Sequence, residues 1–217
     1  MVSRSTVFGV GINDADYVTS PKINGKQVHC PIYNSWKAML TRCYSKKYQS
    51  KEPTYEGCTV SDDWLVFSRF RNWVLSQNHF GLHLDKDILI FGNKQYANDR
   101  CVYVPRFVNN CFRSPVNGKH SNGLPLGVSA PSKMAESPRP YMACISSPTK
   151  KSHHLGHFAT ANEAHAAWQK VKIEKIIMTA AEYRDHEACR VDVLESIYAR
   201  AEIMKNSLGN GLLTVTI

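Results

Sequence analysis

The residues best suited to chemistry are two aspartates flanking a lysine, Asp85-Lys86-Asp87, with His83 just upstream and Asn109 further on. All fall in one stretch, LHLDKDILIFGNKQYANDRCVYVPRFVNN, from Leu82 to Asn110. Its apolar opening ends in the carboxylates, Gly92 and Asn93 mark a turn, and Cys101 to Val104 form a second apolar run. Pro105 suits the first position of a short helix, where a missing N–H costs nothing. The pattern predicts a β-hairpin followed by a helix carrying Asn109, with Asp85 and Asn109 brought close together. Two hard oxygen donors with open positions suit Mg²⁺ or Mn²⁺ bridging a phosphate. Asp87 would assist from beside the ion. In a regular strand His83 shares a face with Asp85, which makes it the nearest general base. The plainer reading of His83 is a strand-surface histidine. Lys86 reads either as a cation stabilising a phosphorane-like transition state or as an exposed lysine between two acids.

Those residues resemble the ββα-metal finger of the His-Asn-His (HNH) homing endonucleases, a phage and mobile-intron group. The matches are Leu82, His83 and Asp85, then Gly92-Asn93-Lys94, then Val104 and Asn109. The resemblance implies that Asp85 and Asn109 hold a divalent metal and that DNA is the substrate. It departs at Lys86, which stands where the family has its general-base histidine. Binding of metal and DNA therefore carries over better than cleavage. Phage-encoded proteins of similar layout share Tyr33, Trp36, Met39, Leu40, Arg42, Cys43 and Tyr44, then Trp64, Phe67 and Phe70, then Leu84 to Asp87. That points to the lysine as a subfamily feature.

The finger is too small to hold itself together, and the elements before it are expected to brace it. Residues 1 to 30 read as irregular. Trp36, Met39, Leu40 and Cys43 lie at helical spacing within Tyr33 to Tyr44. Lys46 to Gly57 reads as a polar loop. Ser61 resembles an N-cap, with Asp62 and Asp63 in the favourable first turn and Trp64, Phe67, Phe70 and Val74 continuing one face. This aromatic stripe is read as core rather than as a platform for bases. Arg69 and Arg71 fall off the stripe, where they meet either phosphates or solvent.

A linker rich in Ser, Pro, Asn and Gly, Ser114 to Pro125, separates a first domain (1–113) from a second (126–217). Three short strands are expected there: Gly127 to Ala130, Tyr141 to Ser146 and His153 to Phe158. Thr160 and Glu163 form a capping box for a helix whose stripe is Ala164, Ala167, Trp168 and Val171. Tyr141, Ala143 and Ile145 should face that helix, and Met142, Cys144 and Ser146 the other side. This layout is similar to the plant ethylene-response-factor (Apetala-type) DNA-binding domain. The similarity rests on Gly127-Val128, Tyr141, Ala143, Ile145, Leu155-Gly156, Phe158, Thr160, Glu163-Ala164 and Ala167-Trp168. It implies docking of the outer sheet face in the DNA major groove. Ser129, Ser146, Ser152 and His154 replace the family's arginines and tryptophans, so base reading is reduced. Lys133, Arg139, Lys150 and Lys151 remain for phosphates. Val191, Leu194, Ile197, Tyr198, Ala201 and Met204 mark a last amphipathic helix, which either packs on this domain or joins a partner.

The overall expectation is an α+β protein. Lys and Arg number 27 against 18 Asp and Glu, a formal charge of +9 and a sequence pI near 9.2. Such a balance favours a polyanion through counterion release, and it also fits a plain solvated positive face. Seven scattered cysteines without a Cys-x-x-Cys pair read as buried, reduced thiols rather than disulfides. A zinc set of Cys43, Cys58 and Cys101 with a histidine is the alternative to buried thiols. No apolar run is long enough for a membrane span, and the N-terminus lacks a signal-peptide layout, so a cytoplasmic protein is expected. Three functions remain open: a metal-dependent DNA endonuclease or nickase, a DNA-binding regulator without cleavage, and a phage inhibitor of a host protein. The sequence leaves the oligomeric state open.

Overall fold

Trp36, Met39, Leu40 and Cys43, together with Trp64, Phe67, Phe70 and Val74, are all at most 5% exposed. The two stripes meet, and they form the centre of the first of two compact units, Met1–Asn109 and Asn110–Ile217. The structure, a computed structural model, describes residues 6–112, 123–146 and 153–214. It is a mixed α+β protein. Among the described residues no helix is long and apolar enough to cross a membrane.

The first unit begins with a two-residue hairpin, β1 (Lys22–Ile23) and β2 (Lys26–Gln27), inside a region expected to be irregular. Asn24 and Gly25 both take positive φ between the strands, which matches the twist a tight hairpin needs. Helix α1 (Pro31–Tyr44) starts with proline in its first turn and buries the first stripe. A single turn, α2 (Lys46–Gln49), follows and leads to β3 (Thr59–Val60).

The second stripe does not form one helix. It forms α3 (Asp62–Leu65) and α4 (Phe67–Leu75), broken at Val66, whose backbone is extended. The cause is the N-terminal segment, which inserts Ile12 beside the break. Ile12 N–H donates to Leu65 O at 2.8 Å, and Phe67 N–H donates to Ile12 O at 3.0 Å. Asp14 then accepts from the backbone and hydroxyl of Ser68, occupying donors at the start of α4. The Trp36 indole N–H donates to Trp64 O at 2.7 Å and ties α1 to α3 through the core.

The finger region comprises β4 (His83–Asp85), β5 (Gln95–Tyr96), β6 (Val102–Val104) and α5 (Arg106–Phe112). β4 and β6 pair antiparallel, with His83 opposite Val104 and Asp85 opposite Val102. They are not joined by a tight turn. The chain between them swings out so that β5 pairs in parallel with β3.

In the second unit β7 (Val128–Ser129), β8 (Tyr141–Ile145) and β9 (His153–Phe158) form a three-stranded antiparallel sheet in the order β7-β8-β9. It packs on α6 (Ala161–Arg184), through Val128, Ala143 and Ala164, with Tyr141 and Phe158 alongside. The capping box at Thr160 and Glu163 is present in both directions. α6 runs well beyond the stripe read from sequence. Its later turns also bury Ile173, Ile176, Thr179, Ala180 and Tyr183, and α7 (Val191–Gly209) packs on it. The Tyr183 hydroxyl fastens the connection, donating to Ala188 O and accepting from Arg190 N–H. α7 therefore packs on its own domain, through Val193, Ile197, Ala201 and Met204.

Candidate functional site

The strand β4 alternates as a half-buried strand should. Leu84 faces the core, while His83 is exposed and Asp85 half-buried on the opposite face. His83 and Asp85 thus share one face. Their partner strand β6 runs through Pro105 directly into α5, which carries Asn109 half-buried one turn in. The Pro105 carbonyl accepts from Val108 and Asn109 N–H, so the proline stands just before the helix.

Asp85 is fixed by its own loop. One carboxylate oxygen accepts from both Asp87 N–H and Ile88 N–H at 2.7 Å. This turn aims the following residues away from the strand. Lys86 is 6% exposed, which corrects the reading of it as an exposed lysine. Its ammonium donates to Asn93 O at 2.7 Å and to the Asp87 carboxylate. Asn93 replies through its side-chain amide, which donates to the carbonyls of Lys86 and Gln95, both at 2.7 Å. Lys94 donates to Thr54 O, and β5 follows immediately. Gly92-Asn93-Lys94 is therefore a knot that holds the excursion between β4 and β6 onto β3. Lys86 belongs to that knot and positions rather than faces the site.

His83 lies under the electrostatic influence of two arginines that sequence reasoning did not name as site residues. Partial burial, then Arg106 at the start of α5, then Arg42 on α1 all push its pKa below the ordinary 6.5. The charged imidazolium is thereby disfavoured, which suits a general base. Burial works against the charge of Arg42, but Tyr96 and Tyr55 more than offset it, and the guanidinium lies over the Tyr55 ring and donates to Tyr96. Neither has a local signal: Arg106 simply follows Pro105 and Arg42 lies on α1, and only the fold brings them to His83.

For a metal, the available donors are hard. Asp85 and Asn109 offer oxygen, and among the described residues no group of three or more His, Cys, Asp or Glu could hold an ion. An ion here would draw most of its ligands from water and phosphate. Mg²⁺ and Mn²⁺ tolerate that arrangement, whereas a closed zinc cage does not. The alternative zinc set behaves as buried thiols. Burial pushes Cys43 and Cys101 up to about 12, and Cys58 upward.

The remaining sequence-named residues fall elsewhere. Arg69 pairs with Asp63 at 2.6 Å, and Arg71 lies over the Tyr17 ring. Lys133 and Arg139 are exposed on the loop between β7 and β8. Lys150, Lys151 and Ser152 lie outside the described residues. A bulge in the β8–β9 ladder sets His154 opposite Cys144 and His157 opposite Met142. It brings the two imidazoles onto one face, 4.8 Å apart. That outer face carries Ser129, Met142, Cys144, His154 and His157, without a lysine or arginine among its paired residues.

No protein-family model, no curated protein and no solved structure matches the chain.

Proposed function

We propose that the chain is a divalent-metal-dependent DNA endonuclease or nickase, built on an HNH-like ββα finger followed in sequence by an Apetala-like DNA-binding domain. The supporting observation is His83 and Asp85 on one face of β4, with Arg106 and Arg42 near enough to disfavour a charged imidazole. The partner strand leads straight into the helix of Asn109.

His83 takes the proton of the attacking water as the new bond to phosphorus forms. Arg42 and Arg106 offset the charge that builds on the phosphoryl oxygens, and the released ester oxygen is protonated from solvent. Asp85 and Asn109 would hold Mg²⁺ or Mn²⁺, which supplies charge neutralisation at the leaving oxygen. Two backbone N–H groups hold one Asp85 carboxylate oxygen in place. Lys86 and Asp87 keep the loop that orients it.

A nicking assay on supercoiled plasmid with Mg²⁺ or Mn²⁺ tests the reading. Wild-type protein should convert the plasmid. Asp85→Ala should lose activity while duplex affinity changes little, because the basic surfaces remain.

One observation favours a second reading, a DNA-binding regulator that does not cut. Lys86, at the position where the HNH family has its histidine, is buried in a structural knot. If purified wild-type protein leaves DNA intact with Mg²⁺, Mn²⁺ and Zn²⁺ but binds it, that reading replaces the nuclease. Failure to bind DNA at all would leave the third class, an inhibitor of a host protein.

A further inference from the structure

Phe80 is 86% exposed, the most open large apolar side chain among the described residues. It is not on a loose loop. Leu82 N–H donates to His79 O at 3.2 Å, and Gly81 takes φ +71°. This is a type II turn with Phe80 at its corner and glycine where a left-handed residue is required. The His79 ring stacks on Phe80 at 4.5 Å and 27° between planes, and its Nδ1 meets Gln77 O at 3.1 Å. Behind His79 lies Tyr103 at 6.1 Å, and behind Tyr103 is Trp73, stacked at 5.7 Å. Four rings run from the core of the first unit to solvent, and the outermost has one face open. The turn and the stacked His79 ring together stiffen Phe80 in the open.

The position matters as much as the exposure. Phe80 precedes His83 by three residues, so its Cα lies within about 11 Å of the candidate base even if the chain is fully extended. Bases along one DNA strand are spaced about 3.4 Å apart. A base within roughly three steps of a phosphate at His83 is therefore in reach of the Phe80 ring. Arg42 and Arg106 supply the positive charge that a phosphate beside His83 requires.

We infer that Phe80 is a stacking residue for an unpaired nucleobase next to the phosphate held at His83, so that the preferred substrate is DNA with an unpaired or displaced base. Base–aromatic stacking is indifferent to base identity, because every base presents a π-face. The ring thus selects for local unpairing and not for sequence. This inference rests on the DNA-binding reading above.

The full chain is tested on two duplexes of equal length and charge, one fully paired and one bulged by two adjacent mismatched, unpaired base pairs at its centre. Wild-type protein should prefer the bulged duplex. Phe80→Ala should weaken binding to the bulged duplex about tenfold and leave the paired duplex unchanged. Phe80→Trp should keep the preference, and its added indole emission should be quenched on the bulged duplex alone. Because the side chain is exposed, thermal unfolding of both variants should match wild type, which separates loss of stacking from loss of fold. If wild type binds both duplexes equally, or Phe80→Ala retains the preference, the stacking role is overturned while DNA binding stands. If neither duplex binds wild type, the DNA-binding reading fails, and this inference with it.

Discussion

As the proposed base, His83 sits in surroundings that set a measurable pH limit. Burial, Arg106 and Arg42 disfavour its protonated form, so its folded pKa lies below 6.5. If it takes the proton of the attacking water, the acidic limb of the cleavage rate falls below that value rather than at it. Lowering pH from neutral toward 6.5 should cost little activity, and the loss should come further down. His83→Ala should reduce the rate about 10²-fold or more and abolish that limb. Lys86 makes the opposite case. Substituting histidine there restores the HNH pattern on paper, yet the side chain is buried on Asn93 O and Asp87. Lys86→His should therefore destabilise the first unit, by about 2–3 kcal/mol, without raising the rate. Urea unfolding beside the nicking assay distinguishes the outcomes.

Among the elements, the parts legible in the sequence were those with a strong period or a specific local bond. The stripes of Trp36 to Cys43 and Trp64 to Val74 could be read because burial repeats at helical spacing, and the Thr160–Glu163 capping box because its two residues satisfy each other. What escaped was set by distant partners. The break at Val66 depends on Ile12, the β5 strand on β3, and the burial of Lys86 on Asn93. None of these leaves a mark in the local pattern. At the site, Asp85 and His83 were legible by alternation, but Arg42 and Arg106 reach His83 only through the fold. Gly127 illustrates a motif residue explained by packing. Its φ is +76°, and a Cβ there would sit 2.1 Å from the Trp168 ring. Gly127→Ala should therefore cost about 2 kcal/mol or more, seen as a lowered denaturation midpoint of the second unit. His165 adds a pH dependence in the same unit. It is 1% exposed, its Nδ1–H donating to Leu126 O and its Nε2 accepting from Thr214 N–H. Burial lowers its pKa despite the Leu126 carbonyl, so the unfolded chain binds the proton more readily. Its contribution is fully present above 6.5 and is lost as pH falls through the folded value. His165→Gln should flatten the stability profile of the second unit below about pH 6.5.

For the molecule as a whole, a charge of +9 combines with a sheet face that pairs Ser129, Met142, Cys144, His154 and His157. A face without guanidinium forks cannot read guanine edges in the usual way. Binding to duplex DNA should therefore be steeply salt-dependent and nearly indifferent to sequence. Replacing Lys133 and Arg139 together by alanine should weaken all duplexes similarly and flatten the salt slope by about two units. Loss confined to one sequence would point to base reading instead.

The clasp between α6 and the tail also bears on synthesis. Gln169 donates to Leu212 O and Thr214 Oγ1, and the Thr214 N–H meets His165, 49 positions away along the chain. On the ribosome these two interior side chains emerge long before their mates, and until then water must serve them. The second unit reaches its final form only once Leu212 and Thr214 have been made and have emerged, whereas the stripes around Trp36 and Trp64 are complete far earlier.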